Sequence, residues 1–365
     1  MNPPGVIKVL IVDDSALVRS VLRQVLSGTE GIEVIGGAKD PFEARELIIA
    51  HRPDVIILDV EMPRMDGLTF LRKLQVHYPV PVIMCSSLTT AQSAPALEAL
   101  EHGAVDVVAK PTAGGSAALR RLGEELAEKV QAAAQSIRRK PPAPAGPPPL
   151  PPGCRSQGID PAQHLVAIGA STGGTEAIRA LLARTPQDFP PIVITQHMPE
   201  GFTLAFAERL NRLSAVRVSE AVDGVALSPG MAVVARGGVQ MMVDGAPGRW
   251  RIRLGTDELV NRHCPSVDVL FDSVVRVAGR HAVGILLTGM GADGAQGLLR
   301  LRQAGAPTIA QNQESCVVFG MPKVAIELGA ALATAAPADI PPLVLRMLKR
   351  PGTPTASALL AASRA

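Results

Sequence analysis

The sequence predicts two α/β domains joined by a stiff linker. Short apolar runs alternate with amphipathic stretches twice over, once on each side of a proline-rich break. The break, PPAPAGPPPLPP at 141–152, removes backbone donors and fixes φ in a way that no helix or central strand accommodates. A chain of 365 residues is also too long for one ordinary core.

From residue 8 to about 134 the pattern reads as β/α repeated five times, a parallel sheet with helices on both faces. Strands are expected near 8–12, 32–36, 55–58, 82–85 and 105–108, with a last helix starting at 116. The break that follows is extended and semi-rigid by composition, and a weaker reading takes it as a PxxP ligand. Beyond it, strands are expected at 164–168, 191–195, 231–235 and 282–287, with helical patterns at 175–183 and 266–278. Residues 216–254 carry the turn pairs Pro229-Gly230, Gly237-Gly238 and Asp244-Gly245 and read as a β-rich insertion or hairpin region. The domains are set at 6–130 and 161–348, with a helix end and linker at 131–160 and a disordered tail at 349–365.

Composition removes several function classes. Hydrophobic residues at 47% and charged ones at 19% supply two cores and exclude global disorder. A net charge of +3, with no long Lys/Arg stripe, gives no footprint for nucleic acid. Cys85, Cys154, Cys264 and Cys316 lie far apart with no CxxC pair, so neither a zinc site nor a disulfide framework is implied. Residues 1–5 lack the features of a signal peptide, and no apolar run reaches spanning length. A cytoplasmic protein without membrane insertion is expected.

In the first domain, strand one ends in Asp13-Asp14 and strand three in Asp59, and the carboxyl ends of parallel strands meet on one edge. Such a cluster of like charge calls for a cation. Oxygen ligands at a solvated edge suit Mg²⁺. Asp59 can then attack an activated phosphoryl group, with Ser86 and Lys110, just past strands four and five, placed to hold the phosphate. Asp13 or Ser86 alone reads equally well as a helix cap. The ordered set VDDS (12–15), DVEMPRMDG (59–67) and AKP (109–111) resembles the receiver domains of response regulators. That resemblance implies a doubly wound, flavodoxin-like five-stranded fold, Asp59 phosphorylated by a histidine kinase, Mg²⁺ on Asp13, Asp14 and Asp59, and a cis peptide before Pro111. Val107 stands where many receivers carry an aromatic switch residue.

In the second domain, strand 164–168 runs into GASTGGTEAIR (169–179), a glycine-bracketed serine before a helix. Such a turn exposes Ser171 beside backbone N–H groups, and alone it fits either a nucleophile or a phosphate-binding turn. His197 follows strand 191–195 and Asp293 follows strand 282–287, so three strand ends can converge as Ser171 nucleophile, His197 base and Asp293 orienting carboxylate. Alone, the His reads as structural and the Asp as a turn residue.

GASTGG, QHMPEGFTLAFAERL (196–210), NRHCPSVDVLFDSV (261–274), LLTGMGADGAQG (286–297) and QNQESCVVFGMP (311–322) resemble the chemotaxis protein-glutamate methylesterases, the CheB family. The resemblance implies that Ser171, His197 and Asp293 form the triad and that Thr172 and Met290 help form the oxyanion site. It implies demethylation of chemoreceptor glutamates and deamidation of receptor glutamines. No cofactor is expected in the esterase site, and a separate expectation is that the receiver covers the triad edge until Asp59 is phosphorylated. Relatives often have Arg where this chain has Cys264, a departure that bears on affinity for an acidic receptor surface. A DNA-binding output would need a basic recognition helix, and a dinucleotide site a different glycine spacing. A decayed, adaptor-like output is disfavoured by the presence of all three triad residues.

Overall fold

The computed structural model describes residues 5–87, 90–110, 116–136 and 158–349. The proline-rich break, the peptide before Pro111, Cys154 and the tail beyond 349 lie outside them. The chain divides into two units, one up to Ala143 and one from Pro144.

In the first unit, β1 (Ile7–Val12), β2 (Ile32–Ala38), β3 (Val55–Asp59), β4 (Val82–Ser86) and β5 (Asp106–Ala109) form one parallel sheet in the order β2-β1-β3-β4-β5. Between them run α1 (Ala16–Leu26), α2 (Pro41–His51), α3 (Gly67–His77) and α4 (Thr90–Glu101), followed by α5 (Ser116–Ser136). This is the doubly wound flavodoxin-like order, whose direction reverses between β1 and β3. Strands β3 and β4 are buried at every residue, which is why they read as unbroken apolar runs. Leu22 and Leu26 of α1, one helical turn apart, pack with Leu126 and Val130 of α5 on Val9, Ile57 and Ile83. Ser15, Asp40 and Asp66 start α1, α2 and α3 by accepting backbone N–H groups of the first turn. Strand β4 reaches one residue past its expected end, so Ser86 is its last residue rather than the first of the loop.

In the second unit, seven parallel strands run in the order β14-β13-β12-β6-β7-β9-β8. They are β6 (Leu165–Ala170), β7 (Ile192–Gln196), β8 (Arg217–Glu220), β9 (Met231–Val234), β12 (Ala282–Leu286), β13 (Thr308–Gln311) and β14 (Ala333–Ala335). Helices α6 (Gly174–Leu182), α7 (Thr203–Leu213), α8 (Val267–Ala278), α9 (Ala295–Gln303), α10 (Met321–Glu327) and α11 (Ile340–Lys349) complete it. The chain winds from β6 outward through β7, then returns to add β12 on the other side of β6, which makes the β6/β12 boundary the switch point.

The expected β-rich insertion at 216–254 divides differently. Strands β8 and β9 join the main sheet in parallel, and only β10 (Met241–Asp244) with β11 (Arg251–Leu254) form an antiparallel hairpin. Glycine and proline pairs mark where the chain bends, not which strands pair. The hairpin is anchored by Trp250, 2% exposed, and Ile252 in the core that α8 lines with Leu270, Phe271 and Val274. Helix α11 ends at Lys349, the first residue of the expected tail. Among the described residues no helix is long and apolar enough to cross a membrane.

Candidate active site and phospho-acceptor site

The carboxyl edge of the first sheet gathers the predicted acidic cluster. Ligand oxygens of Asp13, Asp14 and Asp59 lie within 4.8 Å of one another, with Asp13 and Asp59 buried and Asp14 exposed. Lys110 Nζ is 2.7 Å from Asp59 Oδ2 and 3.1 Å from Asp13 Oδ2. Its position is set by the backbone, because Lys110 N–H donates to the carbonyl of Ser86 at 2.7 Å. Burial pushes the Asp59 carboxyl up to about 6; Lys110 opposes this and the charge of Asp13 adds to it. Burial disfavours the Lys110 ammonium, yet Asp59 and Asp13 outweigh that and leave its pKa raised. Ser86 is buried beside this cluster at the end of β4.

In the second unit, Ser171 follows the last residue of β6 and precedes a turn that only glycine fits. Gly173 has φ 76°, and a Cβ there would stand 2.5 Å from the Val317 side chain. Two contacts fix the nucleophile's backbone and a third fixes the residue before it. Ser171 N–H donates to Thr288 at the end of β12 (3.0 Å), Gln196 Nε2 donates to the Ser171 carbonyl (2.9 Å), and His197 N–H donates to Ala170 (3.0 Å). Ser171 and His197 thus leave adjacent strand ends, beside the switch point.

His197 Nε2 is 2.8 Å from Asp293 Oδ2. Its Nδ1 is buried and without a hydrogen-bond partner among the described residues. With Nε2–H directed at the carboxylate, Nδ1 is the basic nitrogen of this tautomer. The ring of His263 stacks on the imidazole, centroids 3.6 Å apart and planes 16° from parallel. Thr172 accepts from Thr288 Oγ1 through its carbonyl (3.1 Å), and Met290 follows Gly289, where an added Cβ would lie 2.6 Å from Ser171 Cβ. Thr172 is the serine's chain neighbour, and Gly289, the residue before Met290, lies against it.

Asp293 receives five hydrogen bonds. Oδ1 accepts from Asn261 Nδ2 (2.7 Å), Ser266 Oγ (2.8 Å) and Asp268 N–H (3.3 Å), and Oδ2 from His197 Nε2 and Val267 N–H (2.6 Å). Ser266, Val267 and Asp268 open α8, so Asp293 caps that helix from outside. Ser266 occupies the N-cap position yet makes no capping bond of its own, because its hydroxyl is turned to Asp293. Burial acts to raise the Asp293 pKa, but His197, Asn261 and the Val267 N–H overcome it and hold the carboxyl well below its usual range.

Residues 166–344 match the family model described as CheB methylesterase, and residues 9–119 that of the response regulator receiver domain. The chain belongs to the CheB methylesterase family. A protein-glutamate methylesterase/protein-glutamine glutaminase of Anaeromyxobacter dehalogenans is 51% identical over 94% of this chain and 97% of its own length. One of Bordetella avium is 52% identical over 89% of this chain and 92% of its own length. The crystal structure of the Thermotoga maritima CheB methylesterase catalytic domain aligns with a TM-score of 0.49 at 36% identity, covering 50% of this chain and 98% of that domain.

Within this family frame, two features mark the chain. Val107 is buried in β5, and its carbonyl accepts from Lys129 Nζ of α5 at 2.6 Å, while Lys129 also pairs with Asp106 at 3.1 Å. Cys264 is half-buried, and burial pushes its thiol up. Sequence reasoning alone gives Asn261, His263 and Ser266 no role in the site. The one legible signal is a serine before an apolar helical run, which reads as a cap and not as a donor to a carboxylate that follows another strand.

Proposed function

We propose that this chain is a cytoplasmic protein-glutamate methylesterase, and by the same acyl chemistry a protein-glutamine glutaminase, acting on the cytoplasmic domains of methyl-accepting chemoreceptors. The observation that carries the reading is the His197–Asp293 pair at the strand end beside Ser171. Ser171 Oγ attacks the ester carbonyl carbon while His197 Nδ1 takes its proton. The negative oxygen of the tetrahedral intermediate is held by backbone N–H groups at Thr172 or Met290, an interaction worth about 3 to 4 kcal/mol in comparable sites. Collapse breaks the ester C–O bond, and the imidazolium returns the proton to the leaving methoxide, releasing methanol. Water then attacks the acyl-serine with His197 again as base, regenerating the hydroxyl and a free carboxylate. Asp293, kept ionised by its donors, holds the imidazole and balances its transient charge.

The first domain regulates this activity through phosphorylation of Asp59 by a chemotaxis-type histidine kinase, serving adaptation. Asp13, Asp14 and Asp59 fit Mg²⁺, since three carboxylates share one small volume and Asp59 resists ionisation. When bound, the ion offsets the charge of the incoming phosphoryl group. Asp59 supplies the attacking oxygen, and Lys110 and Ser86 hold the phosphate oxygens.

The test is methanol release from a radiolabelled methylated receptor domain. Ser171→Ala is expected to lose activity by about 10⁴-fold or more; an unchanged rate would overturn the assignment. Phosphodonor is expected to raise the rate of the wild-type chain and leave Asp59→Asn unaffected.

A further inference from the structure

The segment between β11 and α8 turns sharply at Val260–His263. Val260 and His263 exchange both backbone hydrogen bonds (3.0 and 2.9 Å), and the two residues between them have positive φ, 52° at Asn261 and 69° at Arg262. This is a two-residue I′-type turn, for which Asn-Gly is the favoured pair. Asparagine at the first position is therefore explained by the turn alone. Its side chain does more than the turn requires. Asn261 Nδ2 donates to Asp293 Oδ1 at 2.7 Å and to Asp268 Oδ2 at 2.8 Å, one hydrogen for each carboxylate. The nitrogen and not the amide oxygen faces them, because both partners are acceptors.

Asp268 is itself buried and held in place from its other oxygen by Gly297 N–H (2.6 Å) and, at 3.5 Å, by Arg300. Burial raises its pKa, and the nearby charge of Asp293 adds to that effect. Two like-charged groups thus share one corner of the site, with a single neutral amide between them. The same turn carries His263 onto the face of His197.

We infer that Asn261 is a positioning residue of the esterase, its amide clamping Asp293 to Asp268 so that Asp293 Oδ2 stays directed at His197 Nε2. The inference rests on the triad reading given above. Loss of the clamp leaves the turn free to form and leaves Asp293 on its remaining donors, Ser266 Oγ, Val267 N–H and Asp268 N–H, with its tie to Asp268 cut and its aim at the imidazole loosened. Glycine at 261 separates the two roles, since it adopts positive φ without strain and carries no amide.

The experiment uses the full chain with phosphodonor and the methylated receptor domain. Asn261→Gly is expected to lower kcat by about 10- to 100-fold with KM nearly unchanged and the melting temperature within a few degrees of wild type. Asn261→Asp also tolerates positive φ but adds a charge. The groups facing His197 and Asp293 are then residue 261, Asp268 with its Arg300, and the neighbouring ring of His263. The extra negative charge should move the acid limb of the kcat profile to higher pH by about one unit. Wild-type kcat in Asn261→Gly, or a loss in KM alone, would show that Asn261 serves only the turn. If Asn261→Gly failed to fold, an unmoved acid limb in Asn261→Asp would overturn the clamp equally well. Ser171→Ala, assayed alongside, separates this from failure of the triad: activity retained there removes the nucleophile itself, whereas activity lost there with Asn261→Gly unaffected removes only the clamp.

Discussion

Asp59 and Asp293 stand at carboxyl edges of parallel sheets, the first as the last residue of β3 and the second in the loop after β12, and their surroundings push them in opposite directions. Among the described residues Asp59 has two partners, the Glu61 N–H at 3.2 Å and Lys110, and a second buried carboxylate, Asp13, beside it. Asp293 has five donors and the first turn of α8 aimed at it. The first is pushed up to about 6 and the second is held far down. A carboxylate short of donors keeps lone pairs for a cation and a phosphoryl group. One saturated with donors becomes a fixed charge with a fixed direction. The chemistry at each strand end is set by how many N–H and O–H groups the neighbouring loops supply.

The largest effect should come from Asp293→Asn. The amide keeps the size of the side chain but loses the charge that balances the imidazolium and favours the wrong imidazole tautomer. A drop in kcat of about 10⁴-fold is expected by methanol release, from comparable triads. A loss below tenfold would mean that the donors around Asp293 serve α8 and not His197.

Gly289→Ala tests the geometry without touching a charge. A Cβ at 289 meets Met321 Sδ at 2.3 Å and Ser171 Cβ at 2.6 Å. The thioether can yield, but the serine backbone is pinned by Thr288 and Gln196, so the nucleophile itself must shift. Displacement of a reacting atom by a fraction of an ångström to one ångström costs on the order of 10²-fold in kcat. The equivalent crowding at the acidic edge of the first domain should leave basal esterase activity untouched.

The same contrast separates what can be read from the sequence alone from what cannot. Strands β3, β4, β6, β7, β9 and β12 announce themselves as apolar runs because each is buried on both faces of its sheet. Strands β13 and β14 do not, since TIAQ carries two polar residues among its four and ATA has only three residues. The residues at strand ends are readable because β/α alternation forces them to one edge. The donors to Asp293 other than His197 are not, because they come from a turn and a helix start that lie 25 to 32 residues away along the chain. Cap preference explains Ser266 locally and so hides its long-range partner. Pairing of β8 with β9 escapes for a related reason: turn residues report local φ and not strand order.

The smallest effect discriminates best between the two aspartates, because one substitution should act with opposite sign at the two edges. Asp59 has a folded pKa of about 6 against about 3.9 in an unfolded chain, so between those values the folded state holds a proton that the unfolded state has released. Stability therefore falls as pH rises through this window, and the full penalty stands above about 6. Asp59→Asn, without added metal, should gain about 1 to 2 kcal/mol at pH 7.5, less than the shift alone implies because Lys110 loses one of its two partners, and the gain should vanish below about pH 4. Asp293 runs the other way. Its folded pKa lies below the unfolded value, so its contribution is complete above about 4 and is lost as pH falls through the depressed pKa. Asp293→Asn should cost about 1 to 3 kcal/mol at pH 7.5, with the difference from wild type shrinking in acid. Urea melts of both variants at pH 7.5 and at about pH 3, below the unfolded carboxyl value, read all four values. Two destabilising substitutions at pH 7.5 would mean that Lys110 neutralises the first edge as fully as the donor shell does the second.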